Sequence, residues 1–107
     1  MTLKEIHDFL LGFDGSHLDF PFGEDTSVYK NDKDKIFAIV MHNAKPLQIS
    51  LKCDPLLAEK LRETYESVMP GYHLNKKHWN TIVLSGQVDD IELKSLIHHS
   101  FDLANQS

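Results

Sequence analysis

One stretch of this chain gathers groups that could hold a phosphate and stack on a base. Asn75-Lys76-Lys77-His78-Trp79-Asn80 sets two ammonium groups beside an imidazole and the chain's single tryptophan, and His73 lies just upstream. Lysines position a protein on phosphates, and an aromatic ring offers its face to a base. In this reading Lys76 and Lys77 contact phosphates, His73, His78 and Asn75 are supporting donors, and Trp79 stacks or positions. Lys45, on a hairpin, and Lys52, at a strand end, would extend the same surface at its edge. The alternative arrangement has Trp79 packed as a lid on a sheet with solvated lysines around it, since tryptophan is usually largely buried.

Other chemistry is less well supported by spacing. Seven histidines invite a metal, but His98 and His99 are adjacent and on a helix would point about 100° apart. There is no His-Glu-x-x-His pattern and no cysteine pair. His73 and His78 lack an evident third ligand. Cys53 precedes a helix start, a position that can lower a thiol pKa, and with His73 or His78 it would sketch a nucleophile–base pair. An isolated cysteine ending an apolar strand is more often a small buried hydrophobe. No glycine-rich phosphate loop and no nucleophile elbow is present. The chain therefore reads as a binding module, not an enzyme, with no cofactor.

These residues need a frame. Thr2 and Glu5 form a capping box ahead of a helical face of Leu3, Ile6, Leu10 and Phe13, which Gly12 and Gly15 would stop. A polar, aromatic loop runs through Asp19-Phe20-Pro21-Phe22-Gly23. Strands are expected at Thr26 to Lys30, Lys35 to Met41, and Leu47 to Lys52, where Leu47, Ile49 and Leu51 alternate with polar residues. Asp54-Pro55 opens a second helix whose buried face is Leu57, Leu61, Tyr65 and Val68. Its outer face carries Glu59, Arg62 and Glu66 at pairing distance. After Pro70-Gly71, Tyr72 to Leu74 and Thr81 to Leu84 are expected as strands, with 75–80 an extended polar loop between them. Asp89 and Glu92 cap a last helix bearing Leu93, Leu96, Ile97, Phe101 and Ala104 on one face. The expected fold is α+β, in the order α-β-β-β-α-β-β-α, with one antiparallel sheet and helices packed on it. The first and last helices should lie side by side.

The 107 residues suit a single domain, 1–107, with one core. No apolar run approaches the roughly 20 residues of a membrane helix. The N-terminus lacks the basic and apolar regions of a signal peptide, and one cysteine permits no intrachain disulfide, so a cytoplasmic protein is expected. The net charge of −5 argues against polyanion binding by the chain as a whole. The charge is unevenly placed, however. Residues 1–34 carry three lysines and eight acids, whereas 35–53 and 68–88 carry five lysines and no acid.

Four blocks identify a relationship. They are Phe20-Pro21-Phe22-Gly23-Glu24-Asp25 with Val28-Tyr29-Lys30, then Lys35-Ile36-Phe37-Ala38, then Ile49 to Pro55 leading into Leu61-Arg62, and finally Pro70 to Thr81 with the later Ser100 and Phe101. With these the chain resembles the MmcQ/YjbR family from end to end. The resemblance implies a CyaY-like fold, similar in layout to frataxin, and a DNA-binding "double wing" arrangement. The frataxin-like layout also raises weak iron binding by Glu5, Asp8, Asp14 and Asp19, although carboxylates on an acidic face are more often plain surface. The expectation is a DNA-binding protein without strong sequence preference. The rival is a non-enzymatic adaptor that takes a protein or small ligand on the same surface. The acidic helices would suit a basic protein partner.

Overall fold

The computed structural model describes residues 1–71 and 74–107. Three helices and six strands follow in the order α1 (Leu3–Leu11), β1 (His17–Asp19), β2 (Thr26–Lys30), β3 (Ile36–Met41), β4 (Gln48–Lys52), α2 (Pro55–Thr64), β5 (Val68–Pro70), β6 (Trp79–Val83) and α3 (Asp90–Asn105). The strands form one sheet in the order β1-β2-β3-β4-β6-β5, with every neighbouring pair antiparallel. The fold is α+β, as the sequence indicated. The chain leaves β4 through α2, reaches the edge as β5, and returns as β6 between β5 and β4.

The helices lie on one face of the sheet. Tyr29, Ala38, Leu51 and Asn80 share one row across β2, β3, β4 and β6. At one end of that row Tyr29 touches His7 of α1, and at the other Asn80 donates to the Ala58 carbonyl of α2. α3 lies against β3 and β4, where Ile97 and Leu93 are essentially inaccessible. α1 and α3 are side by side, with Phe9 and Phe13 against His98 and Phe13 against Phe101.

Local chemistry explains the termini. Thr2 and Glu5 make the reciprocal capping box. Asp54 accepts from the Leu57 N–H with Pro55 in the first turn, and Asp89 accepts from that of Glu92. The Ser100 hydroxyl accepts from the Lys52 N–H at 2.9 Å and donates to the Phe37 carbonyl at 2.5 Å. One α3 side chain thus completes the β3–β4 ladder where the two strands part, beside the β2–β3 irregularity at Tyr29/Lys30.

Several expectations need correction. The sheet has six strands instead of five, because the polar segment His17–Asp19 pairs with β2. α2 stops at Thr64: Tyr65 is extended at φ −124° and ψ 124°, and its hydroxyl donates to Glu92 on α3 at 2.5 Å. Val68 is buried as expected, but on a strand opposite Ile82. A helical stride and a strand both predict a buried Val68, so periodicity cannot separate them. The strand of this segment is β5, and the expected one at 72–74 falls, for Tyr72 and His73, outside the described residues. Trp79 and Asn80, read as loop, begin β6.

Candidate functional site

The β4–β6 pairing joins the two acid-free stretches. Residues 35–53 supply β3 and β4, 68–88 supply β5 and β6, and the four strands are consecutive in the sheet. Register sets Lys52 opposite Trp79 and Ser50 opposite Thr81. Side chains alternate along a strand. Leu51 and Asn80 point to the helices, so Lys52, Trp79, Ser50 and Thr81 lie on the other face. There the Ser50 and Thr81 hydroxyls meet at 2.8 Å across the strands. They floor a cleft of about 280 Å³ with Ile39 and Met41, walled by Phe22 and Leu74. Phe22 is 63% exposed, the most exposed aromatic ring among the described residues.

The segment before β6 is a hydrogen-bonded turn, where the sequence suggested an extended loop. The Asn75 carboxamide oxygen accepts from the Lys77 N–H at 3.0 Å, and its carbonyl accepts from the His78 N–H at 3.1 Å. The His78 carbonyl accepts from the Cys53 N–H at 2.7 Å, which ties the turn to the end of β4. Gly71 donates to the Trp79 carbonyl at 3.0 Å, and a Cβ there would lie 3.1 Å from that of Trp79. That closeness leaves little room for a side chain at this position.

Arg62 holds this turn against α2. Its Nε donates to the Asn80 carboxamide oxygen at 2.6 Å, and its terminal nitrogen reaches the Lys76 carbonyl and, at 3.4 Å, that of Trp79. The sequence placed Arg62 with Glu59 and Glu66 on an outer face; instead it turns to three oxygens of the β6 approach. The missed signal was Asn80. An inward-pointing carboxamide in the run Trp79–Val83 must find polar partners, and Arg62 and Ala58 provide them.

The sequence-selected residues are therefore only partly gathered. Asn75, Lys76 and Lys77 are exposed, and His78, Trp79 and Lys52 are half-buried beside them. His73 lies outside the described residues. Lys45 is exposed on the β3–β4 turn, at the opposite end of β4 from Lys52, and does not join the group. Lys35, just before β3, stands at the Lys52 end, but the β2–β3 turn brings Asp32 and Asp34 there too. Asp34 is engaged by His17 at 2.8 Å.

Most of the remaining candidates are occupied by structural work. Cys53 is 4% exposed, and burial first, then the nearby Asp54, push its thiol up to about 11. His98 packs on Phe9 and Phe13, and His99 accepts from the Asp54 N–H. Glu5 caps α1, Asp8 pairs with Lys4, and Asp19 pairs with Lys30. Hydrogen bonds from these partners hold all three carboxyls below their ordinary values. Among the described residues no three histidine, cysteine, aspartate or glutamate side chains converge as a metal group would require.

A six-stranded antiparallel sheet with three helices on one face, and a basic turn and open cleft on the other, defines a small α+β domain. The family model YjbR matches residues 11–103, and the chain belongs to that family. The uncharacterized protein YjbR of Escherichia coli (strain K12) is 39% identical over 72 residues, 67% of this chain and 61% of that protein. The match thus spans less than two thirds of that relative's length. YyaQ of Bacillus subtilis (strain 168) is 42% identical over 55 residues, 51% of this chain and 46% of that one. Among solved structures, the Deinococcus radiodurans protein DR2400, described as a DUF419 domain, superposes with a TM-score of 0.94 at 35% identity. It covers 99% of this chain and 80% of its own. A Pseudomonas syringae protein gives 0.83 at 31% identity, covering 97% and 99%.

Proposed function

We propose that this domain binds DNA, weakly and without strong sequence preference, through the turn at 75–78 and the adjoining ends of β4 and β6. The observation that carries the reading is the β4–β6 register, which joins the two acid-free stretches and sets Lys52 beside Trp79. Lys76 and Lys77 would meet phosphates, and His78 and Asn75 would support them. Trp79, half-buried on β6, would position the backbone more than stack. Phosphate contacts carry no base identity, which is why little sequence preference is expected. No catalytic role is assigned, a reading supported by the burial of Cys53 and its raised pKa. The same free, buried thiol suits a cytoplasmic setting.

Fluorescence anisotropy of a short labelled duplex tests this. Lys76→Ala with Lys77→Ala should weaken binding similarly on all sequences and remove about two from the log–log salt slope, at roughly 0.9 per neutralised phosphate. The melting temperature should hardly move, as surface substitutions usually cost within about 0.5 kcal/mol. An unchanged affinity and salt slope would remove the turn from the site. A second reading has one observation in its favour, the apolar cleft between Phe22 and Leu74. There the domain is an adaptor for a protein or small ligand, and its binding would be insensitive to salt.

A further inference from the structure

We propose that a second cleft, on the helical side of the sheet between α1, β1 and the β3–β4 turn, binds a small organic acid. The carboxylate would lie on the imidazoles of His7 and His42, and the apolar body against Leu18 and Phe20. The cleft measures about 470 Å³. Small-ligand sites typically span roughly 300–1,000 Å³.

Its polar groups come in two pairs. Ser27 and Tyr29 stand two residues apart on β2 and so project to one face. The Tyr29 hydroxyl meets Nδ1 of His7 at 2.8 Å, and the Ser27 hydroxyl meets Nε2 of His42. Both hydroxyl residues are buried, and burial raises the Tyr29 pKa above its ordinary value, which keeps the phenol protonated. In the proposed site each hydroxyl donates to its ring, so that a neutral His7 carries its proton on Nε2 and a neutral His42 on Nδ1. Neither nitrogen has a hydrogen-bond partner among the described residues. Both imidazoles line the cleft, and in that arrangement each keeps one N–H for a ligand.

Charge and surface select the ligand. The described lining includes the two imidazoles and Lys4, whose ammonium is paired with Asp8 at 2.8 Å, and no carboxylate. A carboxylate accepts two such donors at once, and a charged acceptor strengthens each bond. The walls are apolar, with Leu3 37% and Phe20 46% exposed at the mouth. Capping two buried hydroxyls with histidines would not require large apolar groups to be left open beside them. An acid with a ring or branched body uses both features.

Amide NMR titrations of the whole chain with benzoate, benzamide and benzylamine test the assignment. Benzoate should shift the amides of His7, Leu18, Phe20 and His42 saturably, while the neutral and cationic analogues at equal concentration should not. His7→Gln with His42→Gln should weaken benzoate about tenfold, the weight of roughly one charged hydrogen bond. Phe20→Ser, a change at an exposed position, should weaken it several-fold with the melting temperature unchanged. The assignment fails if benzoate produces no localised shifts, if it shifts Lys52, Lys77 and Trp79 instead, or if benzamide or benzylamine match it. It also fails if both variants bind like the wild type. Should the double histidine variant not fold, the wild-type selectivity and Phe20→Ser decide the matter.

Discussion

Replacing Arg62 by leucine separates two pictures of α2 by size of effect. On a solvated outer face, pairing with Glu59 or Glu66, the guanidinium would contribute about 0.3–0.5 kcal/mol. In the structure it serves Asn80 at 2.6 Å and the carbonyls of Lys76 and Trp79. Asn80 is 2% exposed, so the substitution strands a carboxamide oxygen with no route to water. A stranded buried acceptor costs about 1–3 kcal/mol, and loss of the bonds from a charged donor adds to that. The expected destabilisation is about 2–4 kcal/mol, or a fall of roughly 10–20 °C in Tm for a domain of this size. Urea titration should show a lower midpoint with an unchanged slope. Arg62→Lys should recover less than half, because an ammonium lacks the fork that reaches three oxygens. Hydrogen exchange should place the damage locally. The Cys53 and Gly71 amides, bonded to the His78 and Trp79 carbonyls, should lose protection well before that of Ile49 in the core. A loss under about 0.5 kcal/mol, or protection falling evenly across the sheet, would refute the reasoning.

Two further experiments probe the frame and the thiol. Ser100→Ala should cost about 1–3 kcal/mol in urea denaturation, since it leaves the Lys52 N–H and Phe37 carbonyl unbridged, and Ser100→Thr should not restore it in a site with no exposed surface. Cys53 should resist a thiol reagent near pH 8 and react only as the chain unfolds. Its pKa is raised, so the reactive thiolate is scarce until the pH approaches about 11, while the unfolded thiol ionises near its ordinary value. Labelling at pH 8 as fast in the native protein as in urea would contradict that burial.

Much of the architecture was written in short-range chemistry. Thr2 with Glu5, Asp54 with Pro55, and Asp89 with Glu92 each specify a helix start with local partners, and all three formed. The alternation at Ile49, Ser50 and Leu51 sorted those side chains between the two faces. What could not be read depended on partners far along the chain. His17–Asp19 has no apolar alternation, and it is a strand only because β2 offers an edge. Arg62 looks like an ordinary surface charge until β6 delivers Asn80 to it from 18 residues away. The basic turn was visible as composition, but its relation to Lys52 and its separation from Lys45 came only with register. The pairing of Ser27 and Tyr29 with two histidines was equally hidden. His7 and Tyr29 are 22 positions apart, and nothing local marks either as the other's partner.

The sheet ends on both sides in strands of only three residues, His17–Asp19 and Val68–Pro70, and the second closes with a proline. A proline offers no amide hydrogen, and so short a margin leaves few backbone groups for an incoming chain to zip onto. Lengthening of the sheet by a guest segment is thereby discouraged, whether the guest is a peptide ligand or another copy in a crowded cell. Recognition as proposed above would then fall to side chains across the broad surfaces, and the same economy discourages fibrillar stacking.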